Sequence, residues 1–390
     1  MPNVLVLDAN QRSALAIIRS LGRHGLKVIA ADTTSRSLGG ASRFASQSAR
    51  YADPATSPDA FLTDLTAVVE QLSINTIIPA TDLTTMLLAS QPNWSHFELV
   101  AAPRSDSYEA LTDKARLVEL AQGLGIRIPM TRVARTRNAI LEAILDIKFP
   151  LVLKPSRSRY LKDGKVWTTG VEIVENSLQL ERALERCHWL ADIPCLVQRF
   201  VRGHGAGIFA AYSQSGPVAW FAHQRIREKP PDGGVSVLSE SVPVDPTMQA
   251  AATKLLAAAR WSGVAMVEFR VSEDGTPYLM EVNGRFWGSL QLAIDCGIDF
   301  PWILYEISQG KAVRRTTPSY HVGRRLRWLL GDLDSLIIDL RRGQSSLRQK
   351  AASIGRFLAS FADFRCRQEI LRISDPLPGL REAAIWLKSL

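Results

Sequence analysis

Two strand-like runs, Val264 to Val271 and Thr276 to Asn283, flank Ser272 to Gly275, and the Asp274-Gly275 dipeptide between them is a strong short-range signal for a β-hairpin. With Asp274 and Gly275 as a two-residue loop, Glu273 faces Thr276, and the pairing that follows sets Glu268 directly opposite Glu281. Met266, Arg270, Leu279 and Asn283 share that face; Val267, Phe269, Val271, Tyr278, Met280 and Val282 form the other, which reads as core. Facing carboxylates on neighbouring strands have side-chain roots about 5 Å apart and repel unless a cation or a proton lies between them. Hard divalent ions such as Mg²⁺ take carboxylate and amide oxygens and keep phosphates as further ligands, so Glu268, Glu281 and Asn283 form a candidate metal site. Two alternatives stand beside it: Arg270, diagonal to Glu281, neutralises the pair, or a shifted register leaves the carboxylates separately solvated.

A chain of 390 residues suits two or three packed domains. The hydrophobic fraction of 46% is that of a soluble globular protein, and no apolar run reaches the length of a membrane-spanning helix. Met1 to Asp8 is a short strand-like run without a basic leader, so a cytoplasmic protein is expected. Cys187, Cys195, Cys296 and Cys366 are scattered without metal-ligand or redox spacing and read as free thiols. The net charge of +9 is concentrated: residues 311 to 390 hold 16 Lys+Arg against 7 Asp+Glu, the whole excess. A basic tail with Trp328 and Trp386 suits a weak contact with an anionic surface, but the simpler reading is a solvated helical face, and no nucleic-acid partner is expected.

The first hundred residues alternate strand and helix signals: Val4 to Leu7, then Arg12 to Leu21, then Val28 to Ala31, with a later strand from Thr76 to Pro79 ending in the polar Thr81-Asp82. This is a βαβ pattern and predicts a parallel sheet. The first turn lacks the three glycines of a dinucleotide fingerprint, which argues against a nicotinamide dehydrogenase, while Asn10, Arg12 and Ser13 could still hold a small polar ligand at a helix N-terminus. A helix is predicted over Tyr108 to Leu124. Strands at Leu151 to Pro155, Val171 to Val174 and Cys195 to Val201, with a helix over Leu178 to Trp189 and a polar loop from Ser156 to Gly170, make a compact α+β unit able to move as a lid. Beyond it the pattern is strands joined by turns, with Gly203, Gly205 and Gly207 read as a tight turn and Arg225 and Arg227 near an irregular basic loop.

The run Met280-Glu-Val-Asn-Gly-Arg-Phe-Trp-Gly-Ser289, preceded by Val267-Glu268-Phe269, resembles the metal-binding signature of ATP-grasp ligases, closest to carbamoyl-phosphate-synthase-like and carboxylate-amine ligase branches. The resemblance implies that Glu268, Glu281 and Asn283 hold Mg²⁺, with Mn²⁺ as an alternative ion, and that Arg285 contacts phosphates. Thr112-Asp113-Lys114 and Pro150-Leu-Val-Leu-Lys-Pro155 resemble the segments carrying the two nucleotide lysines, here Lys114 and Lys154. Leu196-Val-Gln-Arg-Phe-Val201 resembles the segment lining the adenine pocket, which implies nucleotide contacts for Gln198, Arg199, Phe200 and Val201. Relatives carry acidic residues near these positions and for the ribose, where Gln198, Arg199 and His204 stand here, so the ribose contact is unassigned. Arg225 and Arg227 fall where such branches shape the acceptor site and are assigned to a substrate carboxylate or the γ-phosphate.

The implied fold is α/β and α+β: an N-terminal Rossmann-like parallel-sheet domain (1–107), a linker helix and mobile α+β lid (108–200), an antiparallel-sheet catalytic subdomain (201–310) and a basic helical extension (311–390). The implied activity is ATP- and Mg²⁺-dependent phosphorylation of a small-molecule carboxylate to an acyl phosphate, which an amine or thiol acceptor attacks. A homodimer is compatible with this reading. The competing hypothesis keeps the fold but makes the chain a non-catalytic ATP-binding module.

Overall fold

The computed structural model describes residues 2–231, 234–311, 313, 319–341 and 346–389. Strands β1 (Asn3–Val6), β2 (Lys27–Asp32), β3 (Gln47–Arg50) and β4 (Thr76–Ile78) form the expected parallel sheet in the order β3-β2-β1-β4. Successive strand residues point to opposite faces. Val4 and Val6 therefore join one core with Phe209, Phe221 and Trp287, while Leu5 joins another with Phe61 and Leu65. The helix Arg12–Arg23 is buried from Ser13 to Leu21 because it is covered both by this sheet and by the helices Leu290–Cys296 and Phe300–Ser308.

The crevice expected at the first turn is filled from within. Asn10 bonds Asp32 through its backbone and side-chain nitrogens at 2.8 and 2.9 Å and accepts from the Leu38 amide. Arg12 pairs with Glu369 and lies 4.0 Å above the Trp328 ring, and Ser13 is buried. These residues thus hold the protein's own groups.

Next come β5 (Thr131–Ala134), β6 (Leu151–Pro155), β7 (Arg159–Lys162), β8 (Lys165–Thr168), β9 (Glu172–Val174) and β10 (Cys195–Arg199). An antiparallel sheet of order β5-β10-β6-β9 packs Leu151, Leu153 and Val197 against Ile140 and Leu180 of two helices, Arg137–Asp146 and Ser177–Arg186. The stretch 156–170, expected as a loop, folds instead into the β7–β8 hairpin. Its turn residues Asp163 and Gly164 have φ of 51° and 70°, the two left-handed conformations of a type I′ turn.

The remaining strands are β11 (Gly203–Ser213), β12 (Gly216–Lys229), β13 (Val235–Ser241), β14 (Gly263–Ser272), β15 (Pro277–Asn283), β16 (Arg325–Arg327) and β17 (Cys366–Gln368). They form one sheet of order β15-β14-β11-β12-β13-β16-β17, antiparallel except for the β16–β17 pair. One face lies on the core shared with the N-terminal sheet, and the other on the helix Pro246–Ala258 through Leu255, Leu256, Ile208 and Val267. Gly203, Gly205 and Gly207, read as a turn, lie within β11, and β12 runs on through Arg225 and Arg227 where an irregular loop was expected.

Residues 311–390 are not simply a helical appendage. Among the described residues they supply β16 and β17 to the large sheet as well as three helices, Leu329–Arg341, Leu347–Ala362 and Leu377–Ser389. Much of their positive charge is turned onto acids: Arg325 pairs with Glu240 and Asp363, Arg327 with Asp332, and Arg372 with Asp295. Trp328 donates to Glu382 and Trp386 to Asp334, so both indole N–H groups are bonded within the fold. No described helix is long and apolar enough to cross a membrane.

The deepest link between the chain's two ends is Arg19, which donates to Asp375 Oδ2 at 2.8 Å and to the carbonyls of Glu369, Ile370 and Asp375. Both side chains are 1% exposed. Removing one partner leaves an uncompensated buried charge, so Asp375→Ala is expected to cost about 3–5 kcal/mol of unfolding free energy, measured by urea denaturation.

Candidate functional site

The hairpin places Glu268 opposite Glu281, as the sequence reading required, but by a different route. Ser272 N donates to Thr276 O at 3.0 Å and Gly275, at φ 83°, donates to Ser272 O, so the loop has three residues, Glu273-Asp274-Gly275, rather than two. That loop alone would shift the register by one. A bulge between Glu268 and Phe269 on one side, with Met280 unpaired on the other, shifts it back, so Arg270 pairs with Tyr278 but Glu268 with Glu281 and Met266 with Asn283. Leu279 consequently moves to the core face, where it is 2% exposed beside Val267, Phe269 and Val282, contrary to its expected place beside the carboxylates.

Donors from four elements surround the two acids. Glu268 accepts from Arg225 Nη2 at 2.6 Å and from Asn283 Nδ2 at 2.8 Å. Glu281 lies 3.3 Å from Lys114 Nζ and accepts from Asn283 Nδ2 at 3.4 Å. Lys114 is placed by the break in the helix expected over Tyr108 to Leu124. Asp113 caps a second helix, Lys114–Gly123, accepting from the amides of Ala115 and Arg116, so the lysine opens that helix at the site. Lys154 comes from β6 of the lid, and Arg285 follows β15, donating to Asp82 at 3.0 Å and to Asn283 Oδ1 at 3.2 Å.

The electrostatics follow from this ring. Burial pushes the Glu268 carboxyl up, with Arg225 opposing and the Glu281 charge adding to the rise. Burial also pushes Glu281 upward, but Lys114 and Lys154 outweigh it and hold the group at about 2. Burial lowers the Lys154 ammonium to about 8, partly offset by Glu281. Arg225 is held more firmly protonated, chiefly by Glu268. Among the described residues no three His, Cys, Asp or Glu side chains gather as a metal cluster. Two carboxylates and an amide fit Mg²⁺ only if further oxygens come from outside the protein, which is how this ion uses substrate phosphates.

Lys114, Glu281, Asn283 and Arg285 line a cavity of about 900 Å³ with Ser156 to Lys162 of the lid. Arg199, Phe200 and Val201 line a second, of about 800 Å³, between Pro150 and the tip of the hairpin. Two expected site residues are not brought in. Gln198 is buried within the lid, donating to Thr131 at 2.9 Å, and so faces neither cavity. Arg227, displaced by bulges on either side, forks onto Asp332 at 2.6 and 2.7 Å and also donates to Ser360.

The sequence reading missed the use of the glycines and of Asp82. Across β11 and β14, Gly203 faces Ser272, Gly205 faces Arg270 and Gly207 faces Glu268; a Cβ at Gly203 would meet the Val271 carbonyl and one at Gly207 the Phe209 ring, so of the three only Gly205 leaves side-chain room beside the carboxylates. Their period of two was the available signal. Asp82, the partner of Arg285, stood in the polar Thr81-Asp82 step at the end of the fourth strand.

A family model described as ATP-grasp in the biosynthetic pathway with Ter operon matches residues 215–329, the stretch that holds Arg225, Glu268, Glu281, Asn283 and Arg285. The carbamoyl phosphate synthase large chain of Ralstonia nicotianae is 33% identical over 97 residues, 25% of this chain and 8% of that one. N5-carboxyaminoimidazole ribonucleotide synthase of Synechococcus elongatus is 29% identical over 120 residues, 30% of this chain and 28% of its own. The matches thus span less than a third of either relative's length. Among solved structures, the biotin carboxylase–β-γ-ATP complex from Campylobacter jejuni superposes with a TM-score of 0.67 over 83% of this chain and 74% of that one, at 16% identity. The chain has the ATP-grasp fold, and its residues 215–329 match an ATP-grasp family model.

In this ATP-grasp fold the room beside Gly205 is open to test. A Cβ at Gly205 would meet the Arg225 side chain at an ordinary 3.5 Å, so a side chain fits the backbone there but projects over the sheet face. Gly205→Leu is expected to keep the thermal midpoint within about 3 °C while weakening a Mg²⁺–ATP analogue at least about tenfold by calorimetry. Unchanged affinity would mean that Gly205 clears no ligand space.

Proposed function

We propose that this chain is an ATP- and Mg²⁺-dependent ligase that activates a carboxylate as an acyl phosphate and passes it to an amine or thiol. The observation that supports this best is the Glu268–Glu281 pair: two facing acids with an amide between them, ringed by Lys114, Lys154, Arg225 and Arg285. Acids alone would suit a structural ion and cations alone a simple anion. Both together match a metal–polyphosphate complex, whose charges alternate in the same way.

In this reading Glu268, Glu281 and Asn283 hold Mg²⁺, which supplies charge neutralisation for the phosphate oxygens when bound. Lys114 and Lys154 grip the phosphates as compact cations. A carboxylate oxygen attacks the γ-phosphorus, the bond to the bridging oxygen breaks, and ADP leaves. The acceptor then attacks the acyl carbon and inorganic phosphate leaves. Arg285, fixed by Asp82 and by the Phe286 carbonyl, is oriented toward the charge that develops on the transferred group. The lid, carrying Lys154 and the β7–β8 hairpin, supplies the cover that keeps water from the acyl phosphate. Arg199, Phe200 and Val201 are assigned to the base of the nucleotide. Gln198 is assigned to packing within the lid, and Arg227 to anchoring the C-terminal helices.

Glu281→Gln is expected to abolish ADP release against a panel of acids and amines while the circular dichroism spectrum is preserved; undiminished turnover would sink the assignment, and a wild-type chain that binds ATP but releases neither ADP nor AMP would be a binding module. A second expectation concerns pH. The Lys154 ammonium, lowered to about 8, is charged below that value and loses its proton above it. ATP affinity is therefore expected to fall as pH rises through about 8, and Lys154→Met to remove that inflection.

A further inference from the structure

The glycine row continues into a cavity of about 630 Å³ that belongs to neither of the two already described. Its floor is β11 at Gly203 and Gly205 with Arg225 and Arg270, and its roof comes from the C-terminal helices Leu329–Arg341 and Leu347–Ala362. We propose that this cavity seats the acid substrate, a small molecule with two anionic groups, gripped at its inner end by Arg270 and at its outer end by Arg356. This rests on the ligase reading above and adds to it a substrate class and a role for the C-terminal segment.

Charge balance across the lining supports this assignment. Arg225 spends its guanidinium on Glu228 and Glu268, and Arg227 on Asp332. Arg270 donates only to the Val201 carbonyl, at 3.3 Å, and Arg356 only to the Ser353 hydroxyl, at 3.0 Å; among the described residues neither has a carboxylate partner. Asp339, the remaining acid of the lining, accepts from Ser353 at 2.7 Å and makes no ion pair with either arginine. Two guanidinium forks thus face one space with their charge unspent, which is the arrangement that receives carboxylates bidentately. Arg270 stands two residues from Glu268 on β14, roughly 7 Å along the strand. The inner anion would therefore lie beside the carboxylate pair, where phosphoryl transfer is assigned. Leu336 and Phe357 give the space between the two arginines an apolar wall for a short carbon skeleton.

The test is calorimetry on the full chain. Succinate, glutarate and citrate are titrated in turn, with butyrate as the single-charge control and the Mg²⁺ complex of AMPPNP as a separate nucleotide arm. Arg356 is on an exposed helix face, so Arg356→Gln is expected to fold, and Arg356→Lys to retain part of the affinity. The expected result is that at least one of the three polyanions binds at least about tenfold more tightly than butyrate. Arg356→Gln should weaken it by a similar factor while moving the nucleotide less than about twofold. Failure of all three polyanions, or indifference of the best one to Arg356→Gln, overturns the proposal. So does a parallel loss of nucleotide, which would assign the cavity to ATP phosphates. Wild-type failure to bind the nucleotide overturns the ligase reading instead, so the two fates are read separately.

Discussion

Two carboxylates face one another across a hairpin, and the rest of the site is arranged around the cost of that pairing. Like charges at this separation are stable only if counter-charge is supplied from nearby. Here it arrives from four directions: Lys114 from a capped helix, Lys154 from the lid, Arg225 from β12 and Arg285 from the segment after β15. No two of these cations share an element, so the charge pair is balanced only when the lid, the large sheet and the linker helices are all in place. The donors are fixed before any phosphate arrives, and a ligand that brings its own alternating charges exchanges partners with a set already oriented.

The sequence carried the centre of this arrangement and lost its surroundings for identifiable reasons. Glu268 opposite Glu281 was legible from strand alternation and an Asp-Gly turn, yet the turn is one residue longer than read and a bulge restores the pairing. Alternation shows which residues share a face but not where a bulge resets the count. Leu279, on the wrong side of that reset, was misplaced. The Asp163-Gly164 turn carried the same signal as the main hairpin but lay in a polar stretch that read as loop. Arg227 was placed in the site with Arg225 by the family resemblance, and only the bulges on β12 reveal that it turns to Asp332. Strands β1, β2, β4, β6, β9 and β10 were legible from their apolar runs, whereas β3, β5 and the helix Arg137–Asp146, short or weakly patterned, were not.

The C-terminal segment shows the limit most clearly. Arg325-Leu326-Arg327 looks like part of a solvated basic face, yet it is an interior strand, with Leu326 in the main core and Arg327 fully buried against Asp332. Its partner strand β13 lies more than eighty residues earlier, and nothing local in a charged tripeptide announces such a pairing. Positive charge that composition spreads over a surface is, in the fold, spent on particular acids. The arginines left over are therefore the informative ones.

The Arg19–Asp375 pair has a bearing on how the chain is made. Its partners are 356 residues apart. At a synthesis rate of about 5–20 residues per second, Arg19 waits roughly 20–70 s on the ribosome for its counter-ion. For a shorter interval within it, roughly 4–17 s between the synthesis of β13 and of β16, the far edge of β13 lacks its neighbour, an open strand margin of the kind that recruits other chains. Until both partners have been made, the growing chain carries an unpaired strand margin and an unmatched guanidinium, and it depends on whatever shields them in the cell.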